Sequence, residues 1–83
     1  MRLDKFLKVS RILKRRSVAC EAASSGKIDV NGKSAKPAHQ LKVGDVITIH
    51  FATSKMSFQV LDLKETVKKD EAQFLYKLLE ETR

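Results

Sequence analysis

Three consecutive cationic side chains stand where a helix is predicted to begin. Lys14, Arg15 and Arg16 precede Ser17, whose short polar side chain is favoured at a helix N-cap. Gly26 is a typical helix stop, so the pattern predicts a helix over about residues 18 to 25. Because free backbone N–H groups and cationic side chains both attract anions, we predict a phosphate-binding surface at this helix start.

The cysteine and histidine residues of the sequence have no neighbours with which to form a catalytic or metal site. Cys20, His39 and His50 have no partners at metal-ligand or nucleophile-to-base spacing. The three glycines form neither a P-loop nor a dinucleotide fingerprint. We therefore predict a protein that is not an enzyme, with no catalytic residue, no metal and no cofactor. A single cysteine excludes an internal disulfide and favours a reducing, cytoplasmic location.

Positive charge is concentrated in the first half of the chain. The 83 residues have a formal net charge of +7, and residues 1–43 contain 11 basic and 3 acidic side chains. The other 40 residues contain 6 basic and 7 acidic side chains. Solubility alone does not require this asymmetry, so we predict a polyanionic partner, while a solvated basic face remains the alternative. No apolar run approaches the roughly 20 residues of a membrane span, and no membrane partner is predicted.

The few aromatic residues limit the mode of nucleic-acid contact. There are five and no tryptophan, and Phe6, Phe51 and Phe58 lie at predicted core positions, which does not support a base-stacking platform. Structured RNA, contacted through its backbone by shape and charge, fits best. Composition alone would suit DNA nearly as well, although no recognition helix with base-reading side chains is visible.

The first half of the chain predicts two helices and a hairpin. Leu3, Phe6 and Leu7 share one helical face, and Asp4 is an acidic residue that we expect to stabilise this helix and orient a neighbouring cation. After the second helix, Asn31-Gly32 lies between two short alternating runs and predicts a tight hairpin turn. Strands are predicted within residues 46–51 and at about 57–63.

The last twenty residues have helical periodicity. Ala72, Leu75, Leu78 and Leu79 fall on one predicted stripe, and the segment is electrically neutral. We predict an α+β fold in which two N-terminal helices pack on a short, mainly antiparallel sheet, followed by a C-terminal helix. The predicted domain organisation is an RNA-binding domain over residues 1–63 and a helical extension over residues 64–83.

A set of short motifs runs through residues 2–47. They are Arg2-Leu3-Asp4-Lys5, Lys14-Arg15-Arg16-Ser17, Gly26-Lys27-Ile28, Val30-Asn31-Gly32 and Gly44-Asp45. In this order the segment resembles the alpha-L RNA-binding motif, the module first described in bacterial ribosomal small-subunit protein four. In length and tail the chain is most similar to standalone, ribosome-associated quality-control members of that family.

The resemblance implies a non-catalytic, ribosome-associated factor of the large subunit that contacts 23S ribosomal RNA and peptidyl-tRNA. It would support C-terminal alanine tailing of stalled nascent chains, with a tailing factor as a further partner, and we expect a monomer. The alternatives are a heat-shock-type factor that recycles free large subunits with nascent chains and a ribosome-assembly protein that binds ribosomal RNA.

The predicted RNA-binding residues come from the motifs and from the other cations of the first half. By resemblance they are Arg2, Lys5, Lys14, Arg15, Arg16, Ser17 and Lys27, with Asn31 and Gly32 shaping the hairpin loop. The further cations are Lys8, Arg11, Lys33 and Lys36.

Overall fold

Two helices, a five-stranded antiparallel sheet and a 3-10 helix make up residues 1–82, the part of the chain that the computed structural model describes. In chain order the elements are α1 (Leu3–Val9), α2 (Arg16–Ser24), β1 (Ile28–Val30), β2 (Lys33–Ser34), β3 (Val46–His50), β4 (Lys55–Val60), the 3-10 helix (Lys69–Leu75) and β5 (Tyr76–Thr82). The strand order is β2-β1-β3-β4-β5, with antiparallel pairing throughout. The predicted α+β class, with two N-terminal helices on an antiparallel sheet, is confirmed.

The core is formed by the two helices and the apolar side chains of the sheet. Leu3, Phe6 and Leu7 are fully buried, as their spacing predicted. Ala19 and Ala23 are buried on α2, where their small side chains allow close approach of the two helices. The buried apolar residues of β1, β3 and β4 alternate along each strand: Ile28, Val30, Ile47, Ile49, Phe58 and Val60. This continuous cluster provides most of the hydrophobic stabilisation of the fold.

The predicted hairpin turn is present between β1 and β2. Asn31 and Gly32 have φ angles of 54° and 82°. A turn with positive φ at both central residues is of type I′, whose twist matches that of the paired strands. The Asn31 side chain also accepts a hydrogen bond from the Val46 N–H at 3.0 Å and donates one to Asp45 at 3.1 Å. These bonds tie the hairpin to the start of β3.

The C-terminal segment differs from the predicted single helix. The 3-10 helix covers only residues 69–75, and β5 then pairs with β4 from Val60↔Tyr76 to Lys55↔Thr82. Between the pairs Phe58↔Leu78 and Ser57↔Glu80 the register shifts, so Leu79 is an extra residue in β5. The helix prediction is therefore wrong beyond Leu75.

The predicted apolar stripe of the C-terminal helix is divided between buried and exposed positions. Ala72 and Leu75 are buried, but Leu78 and Leu79 are 46% and 47% exposed. A short apolar run is compatible with a helix or a strand, and here the edge of β4 supplies hydrogen-bond partners that decide in favour of a strand. The proposed division at residue 63 falls between β4 and the 3-10 helix.

One further core expectation is wrong. Phe51 was predicted to lie in the core, but it follows the last residue of β3 and is 43% exposed. Phe58 is buried as predicted and packs edge-to-face on Tyr76, with ring centroids 5.3 Å apart. Within residues 1–82, no helix has the length and apolar character needed to cross a membrane.

Shortening Leu75 to alanine should destabilise the fold far more than the same change at Leu79. Leu75→Ala leaves a cavity beneath the 3-10 helix and should lower the free energy of unfolding by about 2–4 kcal/mol. Leu79→Ala alters an exposed side chain and should change it by less than about 0.5 kcal/mol. Urea unfolding followed by circular dichroism measures both. Equal losses would instead favour a continuous helix with both leucines buried.

Candidate nucleic-acid interface

One buried carboxylate, that of Asp4, lies between the beginnings of α1 and α2. Its Oδ2 is 3.2 Å from Arg2 Nη2 and 3.4 Å from Arg16 Nε. Its Oδ1 accepts hydrogen bonds from Arg2 Nε at 3.2 Å and from the Lys5 N–H at 2.8 Å. The Asp4 side chain is 4% exposed, whereas both arginine side chains are about half exposed. Asp4 therefore holds two guanidinium groups together at the surface.

The pKa of Asp4 is set by opposing effects. Burial acts to raise it, while hydrogen bonds from Arg16, Arg2 and the Lys5 N–H act to lower it, and the Arg16 charge adds to them. The net result is a pKa below the ordinary value of 3.8. The carboxylate is therefore ionised at neutral pH, and the two guanidinium groups retain their common partner. The expected role of Asp4 in orienting a cation agrees with this geometry.

The start of α2 has no side-chain cap. The helix begins at Arg16, and Arg15 occupies the N-cap position in an extended conformation without a capping hydrogen bond. Ser17 therefore lies inside the first turn, and its predicted N-cap role is wrong because the helix starts before it. No acidic residue is present in that turn. Exposed Arg15, Arg16 and Ser17 thus surround the positive end of the helix.

Lys5 is joined to the C-terminal half of the chain. Its Nζ forms an ion pair and hydrogen bond with Glu65 Oε2. The hydrogen bond from Lys5, followed by its charge, lowers the pKa of Glu65 below the usual range. Part of the positive charge that the sequence assigns to this face is therefore already matched by an acidic partner.

Three other predicted cations line a cleft at the end of α1. Lys8, Arg11 and Lys14 border a cavity of about 430 Å³, together with residues of the segment 65–67. The remaining lining residues are Val9, Leu13, Glu65, Thr66 and Val67. The connector between α1 and α2 thus contributes cations to the surface, while Leu13 packs against the core.

The other predicted site residues occupy different parts of the surface. Lys36 precedes Pro37, whose carbonyl accepts a hydrogen bond from the Asp4 N–H at 3.2 Å, so it lies near the start of α1. Residues 31–33 lie at the hairpin. Lys27 follows the end of α2. This helix has nine residues and is about 13 Å long, so its length separates Lys27 from the start of α2. The structure therefore groups Lys36 with the helix starts and sets Lys27 apart from them.

Two groups of residues shape this surface without any signal in the sequence. The segment 65–67 forms one wall of the cleft, although 60 residues separate Lys5 from Glu65. Residues 37–41 fix the start of α1, since the Leu3 N–H donates to the His39 carbonyl at 2.9 Å and the N-terminal amine donates to Gln40 at 3.2 Å. No local pattern in the sequence indicates either contact.

The first half of the chain matches a known protein family. The family model of the S4 domain matches residues 1–47, more than half of the chain. This range contains both helices, the cationic connector and the β1–β2 hairpin. The chain belongs to the S4 domain family, which confirms its resemblance to the alpha-L RNA-binding motif.

The whole length of the chain also matches individual proteins. It is 48% identical over 83 residues to the RQC P-site tRNA stabilizing factor of Bacillus subtilis, covering 100% of this chain and 96% of that protein. It is 49% identical to the protein of the same name from Streptococcus pneumoniae, covering 100% and 94%. The structure is similar to trimeric heat shock protein 15 of Vibrio cholerae, with a TM-score of 0.86, 31% identity, and coverage of 95% of this chain and 81% of that one.

Replacing Asp4 by asparagine should remove a pH-dependent part of the stability. Because the pKa of Asp4 is lowered in the folded state, its contribution is complete well above pH 3.8 and is lost as the pH falls through the folded-state value. At pH 7, Asp4→Asn should lower the free energy of unfolding by about 1–3 kcal/mol.

The difference between the two proteins should shrink on acidification, as measured by urea unfolding across a pH series. Asp62→Asn is a matched control, because Asp62 is exposed and its ion pair with Lys64 is 3.8 Å long. A difference for Asp4→Asn that stayed constant down to low pH would contradict the assigned role of the carboxylate.

Proposed function

We propose that this chain is a non-catalytic RNA-binding factor of the large ribosomal subunit, where it contacts 23S ribosomal RNA and the tRNA of a stalled nascent chain. In this role it supports ribosome-associated quality control and C-terminal alanine tailing, working in the cytoplasm as a monomer beside a tailing factor. The observation that carries the RNA-binding part is the pair of arginines held by Asp4 at the uncapped start of α2.

The arginine pair is suited to a phosphate. Each guanidinium has five N–H donors, and Asp4 engages only the Nε and Nη2 of Arg2 and the Nε of Arg16. The remaining donors are available to phosphate oxygens in the bidentate geometry that arginine favours. The adjacent backbone N–H groups of α2 add positive potential without any competing carboxylate in the first turn.

The proposed contact surface extends outward from this pair. Near it we place the residues at the two helix starts and along the connector: Lys5, Lys8, Arg11, Lys14, Arg15, Ser17 and Lys36. Lys27 and the hairpin residues Asn31, Gly32 and Lys33 form a second contact, which an RNA reaches by running along α2. Such a surface recognises a folded RNA by the positions of its phosphates.

The ribosomal part of the proposal is supported by the relatives. Two proteins that match this chain over its full length, those of Bacillus subtilis and Streptococcus pneumoniae, are named as stabilizing factors of P-site tRNA. A factor of this size contributes to tailing by holding the tRNA and ribosomal RNA in place, since binding and positioning need no catalytic group. The large subunit supplies the reaction centre in this scheme.

A second candidate function is the recycling of free large subunits by a heat-shock-type factor. The similarity to heat shock protein 15 of Vibrio cholerae, with a TM-score of 0.86, favours it. The two functions differ in the fate of the nascent chain, because quality control adds C-terminal alanines to it and recycling does not. Sedimentation of the tagged chain from cells, followed by sequencing of crosslinked RNA, should recover 23S ribosomal RNA together with tRNA. Recovery of large-subunit RNA without tRNA would contradict the quality-control role, and small-subunit RNA would contradict both functions. Stalled chains that keep their alanine tails in cells lacking this protein would favour recycling.

Arg16→Ala should weaken association with the large subunit by about tenfold, because a charge-assisted hydrogen bond to phosphate is lost. The fold should persist, since Arg2 and the Lys5 N–H still satisfy Asp4. Co-sedimentation with purified large subunits measures the affinity, and circular dichroism checks the fold. Lys77→Ala, which removes an exposed cation from β5, should leave binding unchanged. Equal binding by Arg16→Ala and the wild type would remove Arg16 from the interface.

Binding to RNA should depend strongly on salt. If about five phosphates are neutralised, the logarithm of the affinity should fall with the logarithm of the salt concentration with a slope near −4. Filter binding of a labelled fragment of 23S ribosomal RNA over a series of potassium chloride concentrations measures this slope. A flat salt response would contradict the electrostatic basis of the proposal.

A further inference from the structure

Three cations around the cleft at the end of α1 lack an acidic partner within residues 1–82. The ion pairs formed by lysine and arginine in that range involve Arg2, Lys5, Arg16, Lys55 and Lys64, and none involves the cleft residues Lys8, Arg11 and Lys14. The carboxylate on the cleft, that of Glu65, is bound to Lys5. Positive charge in the cleft is therefore not balanced locally, and an anionic ligand is favoured there.

The same cleft has an apolar component. Val9, Leu13 and Val67 belong to its lining, and all three are half buried against the core. Its volume of about 430 Å³ lies in the range of roughly 300–1,000 Å³ that is usual for small-ligand sites. A nucleotide consists of a base with a flat apolar face and a sugar with anionic phosphate. The apolar side chains of the cleft suit the base, and the three cations suit the phosphate.

The connector that carries Arg11 and Lys14 is held in a fixed conformation. The Arg11 N–H donates to the Lys8 carbonyl and the Leu13 N–H to the Leu7 carbonyl, both at 3.0 Å. Arg11 has a φ of 62°, in the left-handed region that a side-chain-bearing residue adopts only at an energetic cost. The fold therefore fixes the connector before any ligand binds, which reduces the entropy lost on binding.

We propose that this cleft receives a single unstacked nucleotide of the bound RNA, with the base against Val9, Leu13 and Val67 and the phosphates on Lys8, Arg11 and Lys14. The inference rests on the proposed RNA-binding function and adds a preference for RNA with an unpaired nucleotide. Bases that are splayed out of loops and bulges are accessible to proteins, whereas a continuous duplex keeps its bases stacked. Residues 65–67, which lie outside the matched S4 domain, take part in this recognition.

Three matched RNA hairpins test the proposal with the full chain. The first carries a single 2-aminopurine bulge, the second carries an abasic bulge at the same position, and the third has no bulge. The wild-type protein should bind the 2-aminopurine hairpin about tenfold more tightly than either of the others, the gain expected when one base buries its apolar face. The abasic hairpin retains the bend of a bulge, so it separates recognition of the base from recognition of shape.

Fluorescence provides an independent readout of the base. The 2-aminopurine signal should rise on binding, because the base leaves the RNA stack for a cleft whose described lining contains no aromatic residue. A signal that stays unchanged at saturation would overturn the proposal, as would equal affinity for the 2-aminopurine and abasic hairpins.

Two variants link this preference to the cleft. Val67→Ser removes an apolar contact of the base and should reduce the tenfold preference for the 2-aminopurine hairpin to nearly none. Arg11→Gly removes the guanidinium at a φ that glycine adopts without strain, and it should weaken binding of the 2-aminopurine and abasic hairpins alike, because both keep their phosphates. Val43→Ser makes the same change at an exposed valine outside the cleft and should retain both the affinity and the preference. A folded Val67→Ser protein that retained the preference would overturn the proposal.

Binding to the bulge-free hairpin separates this inference from the proposed function. If the wild type binds all three hairpins equally and with the expected salt dependence, RNA binding stands and the nucleotide site is refuted. If it binds none of them, both the RNA-binding function and the nucleotide site are refuted.

Discussion

The arrangement of the basic surface depends on the buried carboxylate of Asp4. A buried charge without partners is costly, so α1 and α2 must both be in place for Arg2 and Arg16 to reach it. The same contact that joins the starts of the helices therefore positions the two guanidinium groups. Because the carboxylate lies beneath them and the arginines are half exposed, stability of the helix pair and presentation of positive charge arise from one interaction.

The rest of the surface is assembled from distant parts of the chain. Residues 37–41 fix the start of α1, and residues 65–67 form one wall of the cleft. The pair between Lys5 and Glu65 brings an acidic residue to the basic half of the chain and leaves the cations of the connector unpaired within residues 1–82. The segment beyond residue 63 thus contributes to the site as well as to the sheet.

Local signals were sufficient for the first half of the fold. The apolar stripe Leu3, Phe6 and Leu7 and the Asn31-Gly32 turn determine their own structure, so α1 and the hairpin could be predicted, and the basic half was evident from charge alone. The predicted cap role of Ser17 fails because serine is favoured at caps and also occurs in the first turn, so its type alone does not separate the two positions. The exposure of Phe51, the pairing of Glu65 and the strand conformation of residues 76–82 depend on tertiary contacts that no short window of sequence contains.

The extra residue at Leu79 affects how the outer edge of the sheet meets other molecules. A strand with a regular row of free N–H and C=O groups is a template for another chain, whereas a bulge bends and twists that row. In β5 the irregularity is flanked by Lys77 on one side and by Glu80 and Glu81 on the other. The edge therefore resists growth into an intermolecular sheet, which protects a small, densely charged chain from self-association while its exposed leucines remain at the surface.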